Sequence, residues 1–474
     1  MSAISSIGVY LPLLRLERAL GAAALRWSGL PASRAGHRAV AGWDEDAVTL
    51  SVEAARAAMA ASLAPDDVVF ASTSAPFYDR LQAALLVDAL HLPQSCATSD
   101  TAGSRRCAVS ALLRALRMPG STLVAAGEKR PTKAGSASQL AFGDGAAAVA
   151  TGPTGFLRLR GHASLAHDTV DFYSSREHPT PYASEERFVR DIAIEAVLLP
   201  AIRAALDNAG VPAGEIRHAI VPEPAPSTYK PLAARLGLTA PNHAETVQAD
   251  MGDLGAAHAL FGLALAVEQA QPGDLILLVG FGSGCDALVL EMTAPLPRST
   301  GAREALARGT PLKDYTRFLS LSGQLELDWG PRSEMEQKTT APVLERYGRL
   351  VLGFIGGRDS TGNVQFPKTK IPVNPEADAS IPLEDVRLAD EIGRIQSLTA
   401  DRLNFTPDPP FNFGLVQFAN GARVLMEFCD APAGSLAVGD AVRMRFRIKS
   451  IDRRRGFRTY FWKACPSERP MMEG

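Results

Sequence analysis

The sequence predicts an α/β protein, a duplicated unit of helices and parallel-type strands covered on both faces, followed by a small β-barrel. Three observations carry this. Long helical patterns alternate with short, continuously apolar strands, as in sheets buried on both sides. The same order of helix, turn, strand and loop comes twice before residue 296. Beyond it, strand-like runs around an Asn-Gly turn replace the helices.

In the first half, "DEDAVTLSVEAARAAMAASL" (Asp44 to Leu63) has helical spacing and ends at Ala64-Pro65-Asp66-Asp67, after which "VVFASTS" reads as a buried strand running into a loop. A second helix and strand follow in "CAVSALLRALRMPGSTLVAAGE". The second half repeats this with "RFVRDIAIEAVLLPAIRAALDNAG" (Arg187 to Gly210), a short strand that breaks into the Pro-rich loop of "VPAGEIRHAIVPEPAP", and then "AHALFGLALAVEQAQPGDLILLVGFGSG". The halves span about 1–170 and 171–296. A polar, Pro/Gly-punctuated connector and one helical stretch occupy 297–340. Over 341–470, "FGLVQFANGARVLMEF" flanks Asn420-Gly421 with two strands, and "GDAVRMRFRIKSID" and "FRTYFWKACP" add more.

At 474 residues and 46% hydrophobic content, the chain fills two or three globular units. Its 49 Lys and Arg nearly cancel its 51 Asp and Glu, so no net field draws it to nucleic acid or anionic lipid. Five scattered cysteines, with no close Cys-x-x-Cys pair, argue against a disulfide framework or thiolate zinc and for a reducing cytoplasm. No apolar run reaches the roughly 18 residues of a membrane span, and the N-terminus lacks a basic targeting region.

Four stretches, "IGVYLP", "EDAVTLSVEAARAAM", "FGDGAAAVATG" and "GDLILLVGFGSGCDAL", give residues 1–296 a resemblance to the thiolase superfamily, specifically to 3-hydroxy-3-methylglutaryl-CoA synthases. "GRIQSLT", "FGLVQFANGARV" and "VGDAVRMRF" make the C-terminal part resemble the OB-fold proteins that accompany such enzymes. The order of these stretches along the chain makes the match specific. The resemblance implies a five-layer α/β/α/β/α fold followed by an OB-fold barrel, and a homodimer or a pairing with another thiolase-family subunit. It also implies an acyl-CoA thioester as substrate or co-substrate, with neither nucleic acid nor membrane as partner.

The family's chemistry uses a cysteine at a helix N-terminus, a glutamate and a histidine. Laid on this chain without a gap, those slots fall on Arg105, Thr73 and Pro222. None can do the usual work: Thr73 hydrogen-bonds but is no base at neutral pH, and Pro222 offers no side-chain donor or acceptor. Cys107 lies two places beyond its slot. Two helical residues are about 200° apart, so Cys107 is expected opposite Arg105, which would share a face with Val109, Leu112, Leu113 and Leu116. Cys107 is then either a buried helix residue or, after a two-residue slip in the loop, the acyl acceptor with His258 as base.

Asp253 takes the slot of the family's active-site asparagine, and His258 lies just inside the next helix, either as a core histidine or as a catalytic one. Glu223 and Tyr229 in the Pro-rich loop, and His178 and Tyr182 in "SSREHPTPYASEERF", are further candidates, tyrosine as a proton donor. Gly282, Ser283 and Gly284 follow a buried strand, where backbone N–H groups can approach a substrate oxygen. Arg105, a guanidinium at a helix start, suits a carboxylate or phosphate oxygen, or a structural acid.

In the ribbon that precedes the family's barrel, the four zinc slots fall on Arg358, Thr361, Ile371 and Asn374, so no metal is expected. The arginines and aromatics of "KSIDRRRGFRTYFWK" suit a CoA phosphate and adenine. Together these features point to an enzyme that breaks or makes a carbon-carbon bond in a β-keto or β-hydroxy acyl-CoA, of retro-Claisen or retro-aldol type, without the Cys-Glu-His triad. The alternatives are conventional acyl transfer through Cys107 and a catalytically silent scaffold subunit.

Overall fold

The computed structural model describes residues 2–30, 35–59, 64–330, 341–432 and 434–467, with side chains from 346 in the helix that starts at Ala341. They form two compact units. One comprises 1–42, 46–87 and 92–325; the other comprises 43–45, 88–91 and 326–474. The stretch 297–325, expected as a connector, is folded into the first unit: the strand Thr310–Pro311 pairs with Leu14–Glu17, and the Tyr315 hydroxyl donates to Gln139 Oε1 at 2.6 Å. The connector's last residues, 331–340, lie outside the described residues, as do 468–470 of the barrel.

In the first half of the larger unit, β1 (Ala3–Tyr10) leads to α1 (Ala47–Ala58), β2 (Asp67–Ala71), α2 (Gln82–Ala89), β3 (Ala97–Thr101), α3 (Cys107–Arg117), β4 (Thr122–Glu128) and β5 (Gly145–Gly152). The predicted helix over Asp44–Leu63 begins at Ala47 because Asp46 caps it. Asp46 Oδ1 accepts from the N–H groups of Val48 and Thr49 at 3.0 and 3.1 Å, while Thr49 Oγ1 accepts from the Asp46 N–H at 2.9 Å. Its predicted end at 60–63 lies outside the described residues.

The second half repeats the order with β6 (Leu157–Ala166), α4 (Leu199–Ala209), β7 (Ile216–Ile220), α5 (Tyr229–Leu236), α6 (His243–Met251), α7 (His258–Val267), β8 (Leu275–Phe281) and β9 (Gly284–Met292). The pairing repeats as well. In the first half β1 is antiparallel to β5, β5 to β4, and β4 is parallel to β2, which is parallel to β3. In the second, β6 is antiparallel to β9, β9 to β8, and β8 is parallel to β7. The place of β3 is held by one parallel bridge, Ala219 to Asn242. The Asn242 amide also grips the end of β7, accepting from Val221 N and donating to Val221 O at 3.0 and 2.9 Å.

The two sets join edge to edge through β1 and β6, giving the order β7-β8-β9-β6-β1-β5-β4-β2-β3. α1 packs on β1, β5 and β4, and α4 packs on β6 and β9. Helices α3 and α7 touch strands of both halves. The layers are therefore α/β/α/β/α, with α3 and α7 in the middle. Their sequences suit the place, since every residue of α7 is buried and a helix apolar on all sides needs cover all round.

In the smaller unit, α8 (Ala341–Leu352) precedes a ribbon of β10 (Ile355–Arg358), β11 (Val364–Gln365) and β12 (Glu384–Arg387). Of the four zinc slots, Thr361 and Asn374 meet, Asn374 Nδ2 donating to Thr361 Oγ1 at 2.9 Å. Among the described residues no group of three His, Cys, Asp or Glu is placed to hold a metal. The barrel consists of β13 (Gly393–Ile395), β14 (Thr399–Asp401), β15 (Phe411–Phe418), β16 (Arg423–Glu427), β17 (Ala441–Asp452) and β18 (Phe457–Pro466). β15 and β16 form the hairpin predicted at Asn420-Gly421, and the bridge from Phe428 to Ala464 brings the end of β16 round to β18.

The aromatic run of β18 is not a stacking platform. Tyr460 and Trp462 point inward onto Phe446, with Trp462 Nε1 donating to Leu352 O at 2.6 Å, because alternate residues of a strand face the core. Arg453, Arg454 and Arg455 remain exposed in the β17–β18 turn. None of the five cysteines, all among the described residues, forms a disulfide, and no described helix is long and apolar enough to cross a membrane.

Candidate active site

The first-half strands β2 and β4 run parallel with Ala71 opposite Ala126, so Thr73, two places on and just past β2, comes beside Glu128, the last residue of β4. Ligand sites in α/β folds gather at such C-terminal strand ends. Glu128 is fully buried and collects five donors. Oε1 accepts from Thr73 N, Thr73 Oγ1 and Ala256 N at 2.8, 2.9 and 3.1 Å. Oε2 accepts from the hydroxyls of Ser72 and Ser74. Thr73 itself is exposed.

Beside this carboxylate lies a chain of buried charges. Arg105 donates through Nη1 to Asp253 Oδ2 at 2.8 Å and through Nη2 to Asp171 Oδ2. Arg130 Nη2 stands 3.2 Å from the same Asp253 oxygen and also donates to the Asp253 backbone carbonyl. Burial alone would raise the Asp253 pKa, but the Arg130 and Arg105 guanidiniums hold its carboxyl far below the usual range. Burial likewise opposes the charge on Arg105, and its two carboxylates more than offset it. The Arg105 guanidinium lies 5.0 Å over the Phe172 ring and that of Arg130 3.5 Å over Phe142.

Arg105 sits in the turn before α3, not on the helix, so the expected face shared with Val109, Leu112, Leu113 and Leu116 does not apply to it. Cys107 is the first residue of α3 and is buried, as are Val109, Leu112, Leu113 and Leu116 on the other side of the helix. Burial, then the neighbouring Glu128 charge, pushes its thiol up to about 12, although the backbone N–H groups of Ala108 and Ser72 favour thiolate. At neutral pH it is a thiol.

Both ring nitrogens of His258 are in use. Nδ1 accepts from Leu254 N at 3.2 Å and Nε2 donates to Ala244 O at 3.1 Å, which is the neutral Nε2–H form. Burial lowers its pKa. The expectation of His258 as a base is therefore corrected: the ring braces the loop that carries Asp253. The Gly282 N–H, expected as an oxyanion donor, is bonded to Gly284 O at 3.0 Å. Gly282 and Gly284 serve close approach: a Cβ on Gly282 would lie 3.1 Å from Ser104 Cβ, and one on Gly284 2.1 Å from Leu165 O. Ser283, at φ 47°, is exposed between them.

The remaining candidates do not join this cluster. The Tyr229 hydroxyl donates to Ala240 O at 2.7 Å inside the second-half core, and burial raises its pKa to about 12. Glu223 accepts from the Tyr229 N–H at 2.8 Å, closing the start of α5. Tyr182 and His178 are exposed on a hairpin whose base, Asp171 and Phe172, touches Arg105; the Tyr182 ring lies tilted against Tyr173 instead, 5.5 Å between centroids.

The duplicated strand order and the five layers decide the fold. The fold is thiolase-like. A model of the C-terminal part of 3-oxoacyl-[acyl-carrier-protein] synthase III matches residues 206–292. A model of the C-terminal OB-fold domain of ChsH2 matches 385–447 in the barrel. The chain is 29% identical over 351 residues to the hydroxymethylglutaryl-CoA synthase of Aeropyrum pernix, covering 70% of this chain and 93% of that protein. It is 24% identical to that of Methanosphaera stadtmanae, covering 69% of this chain and all of the relative.

Among solved structures, an HMG-CoA synthase complexed with CoA aligns with a TM-score of 0.58 at 18% identity, covering 72% of this chain and 95% of that one. The 3-oxoacyl-(acyl carrier protein) synthase III, FabH, of Pseudomonas aeruginosa PAO1 aligns at 0.54 with 22% identity, covering 62% and 99%. In this thiolase-like module, Glu128, Arg130 and Asp171 are the cluster members that the sequence alone did not disclose. The one available signal was the abrupt charge of "EKR" after the apolar run "LVAAG".

Proposed function

We propose that the protein acts on acyl-CoA thioesters and breaks or makes a carbon-carbon bond in a β-keto or β-hydroxy acyl-CoA without a covalent acyl-cysteine. One observation carries the reading. Where the relatives' family places its nucleophile, this chain has Arg105 locked between Asp171 and Asp253, and the nearest thiol, Cys107, is buried and protonated. The likeness to hydroxymethylglutaryl-CoA synthases supports the substrate class. A retro-aldol step needs a base for the hydroxyl and stabilisation of the departing enolate, neither of which requires sulfur.

A mass spectrum taken during turnover of hydroxymethylglutaryl-CoA or acetoacetyl-CoA tests this. The expected result is product with no mass added to the protein; an acyl adduct on Cys107 overturns it. A second reading, a silent scaffold, draws on the mutual satisfaction of Arg105, Asp253, Arg130 and Asp171. Turnover by the purified chain alone removes it.

The edge strand β3, with Ala97, Ser99 and Asp100 exposed, is the surface proposed to pair with a second copy or with another thiolase-family subunit. A monomer mass in solution together with no retained partner counts against that. Five cysteines outside any disulfide suit a reducing cytoplasm.

A further inference from the structure

The buried carboxylate of Glu128 has no role in the chemistry considered so far, and its surroundings are unusual. Burying a carboxylate is costly, and an ion pair is the common remedy. Here five backbone and hydroxyl donors surround it instead, and among the described residues it has no salt bridge. Arg105 and Arg130 spend their charge on Asp253 and Asp171, a few residues away. Of its donors, Thr73 is the one that is exposed, and Thr73 is held twice, through its backbone N–H and its hydroxyl. Because Thr73 Oγ1 spends its hydrogen on Glu128, its lone pairs are left to accept from another molecule.

We infer that Thr73 and Glu128 form a hydroxyl-carboxylate proton relay, in which Thr73 touches the substrate and Glu128 stores the proton. This rests on the acyl-CoA reading above. In the cleavage direction, the O–H bond of a β-hydroxy acyl-CoA breaks and its proton passes to Thr73 Oγ1, while the proton of Thr73 passes to Glu128 Oε1. The O–H electron pair becomes the carbonyl π bond, and the carbon-carbon pair leaves as the thioester enolate. The stored proton then returns through Thr73 to the enolate carbon, so the relay ends as it began and no external oxidant or reductant is needed. In the condensing direction the same relay removes the α-proton. Thr73 is the catalytic residue in this scheme, and Glu128 is a positioning and proton-holding residue that acts through it.

The hydroxyl is what the chemistry uses, so Thr73→Val, which keeps the shape and the backbone bond, is the informative variant. Exchange of the acetyl-CoA α-protons is followed by mass spectrometry in D2O, with CoA-thioester binding measured by calorimetry on the same samples. The wild type is expected to exchange and Thr73→Val to lose about a hundredfold or more with unchanged affinity and a still cooperative, if lowered, thermal transition. Thr73→Ser restores exchange to within about tenfold of wild type, since it returns the hydroxyl. Glu128→Gln loses exchange as well while CoA-thioester affinity stays, because the amide cannot take up the proton that Thr73 passes on. Wild-type exchange in Thr73→Val, with binding intact, overturns the relay alone. A wild type that binds no CoA thioester overturns the acyl-CoA reading and the relay with it.

Discussion

The Arg105 guanidinium donates to the Asp253 carboxylate over 2.8 Å and so ties the turn before α3 in the first half to the loop before α7 in the second. Asp253 is shared with Arg130, and Arg105 with Asp171, so four charges from four separate stretches of chain balance one another in a buried place.

Removing Arg105 leaves two carboxylates facing one remaining cation. Arg105→Ala is expected to cost about 3–5 kcal/mol of stability, the range for breaking a buried pair from one side. Arg105→Lys recovers less than half of that, because an ammonium cannot span two carboxylates as the guanidinium fork does. Urea unfolding of the three proteins measures this, and equal stability of Arg105→Ala and wild type refutes it.

Cys107 is expected to be dispensable. Cys107→Ala should keep the wild-type turnover and lose about 1 kcal/mol, since it removes a single buried sulfur from a packed helix start. In the native protein at pH 8 the thiol should resist iodoacetamide, because burial and Glu128 keep it protonated up to about 12. Peptide mapping after alkylation reads this directly.

Stability should fall on both sides of neutrality. Burial, then His218, lowers the pKa of His243 to about 4; the two rings meet with His218 Nδ1 3.0 Å from His243 Nε2. The unfolded chain therefore binds protons below about pH 6.5 that the folded chain refuses, and stability drops as pH falls from there towards 4. His218 and His258, also lowered by burial, add to the same slope. On the alkaline side Cys107 and Tyr229, both raised to about 12 with burial the first cause, stay protonated when folded. The unfolded chain ionises from about pH 8.5 upward, so stability declines from there to about 12. Melting temperatures across pH 5 to 10 should trace a dome, and His243→Gln should flatten its acidic side.

Gly284→Ala should damage the fold rather than the chemistry. The backbone there is at φ 111°, and a Cβ would stand 2.1 Å from Leu165 O, so the β8–β9 turn would have to leave β6. A loss of more than about 1 kcal/mol is expected, read as a lower melting temperature.

Much of this architecture was legible in the sequence. The run "AHALFGLALAV" marked a helix, which the structure buries on every side, and Asn420-Gly421 identified the hairpin of the barrel. The alternation in "FRTYFWK" also carried the inward position of Tyr460 and Trp462, but composition drew attention to a binding surface instead. The site was legible only in part. Thr73, Arg105 and Asp253 came from their slots, while Glu128 belongs to a strand end whose partner 55 residues away is set by sheet register.

By itself the sequence determined which segments become helix, strand or turn, and that the helix-strand unit is used twice, because periodicity and turn chemistry act between residues close along the chain. Tertiary structure alone decided which charges meet. Arg105 finds Asp253 148 residues away, and Cys107 is kept from ionising by burial and a carboxylate on another strand. Electrostatics and desolvation depend on distance through space, and the fold sets that distance.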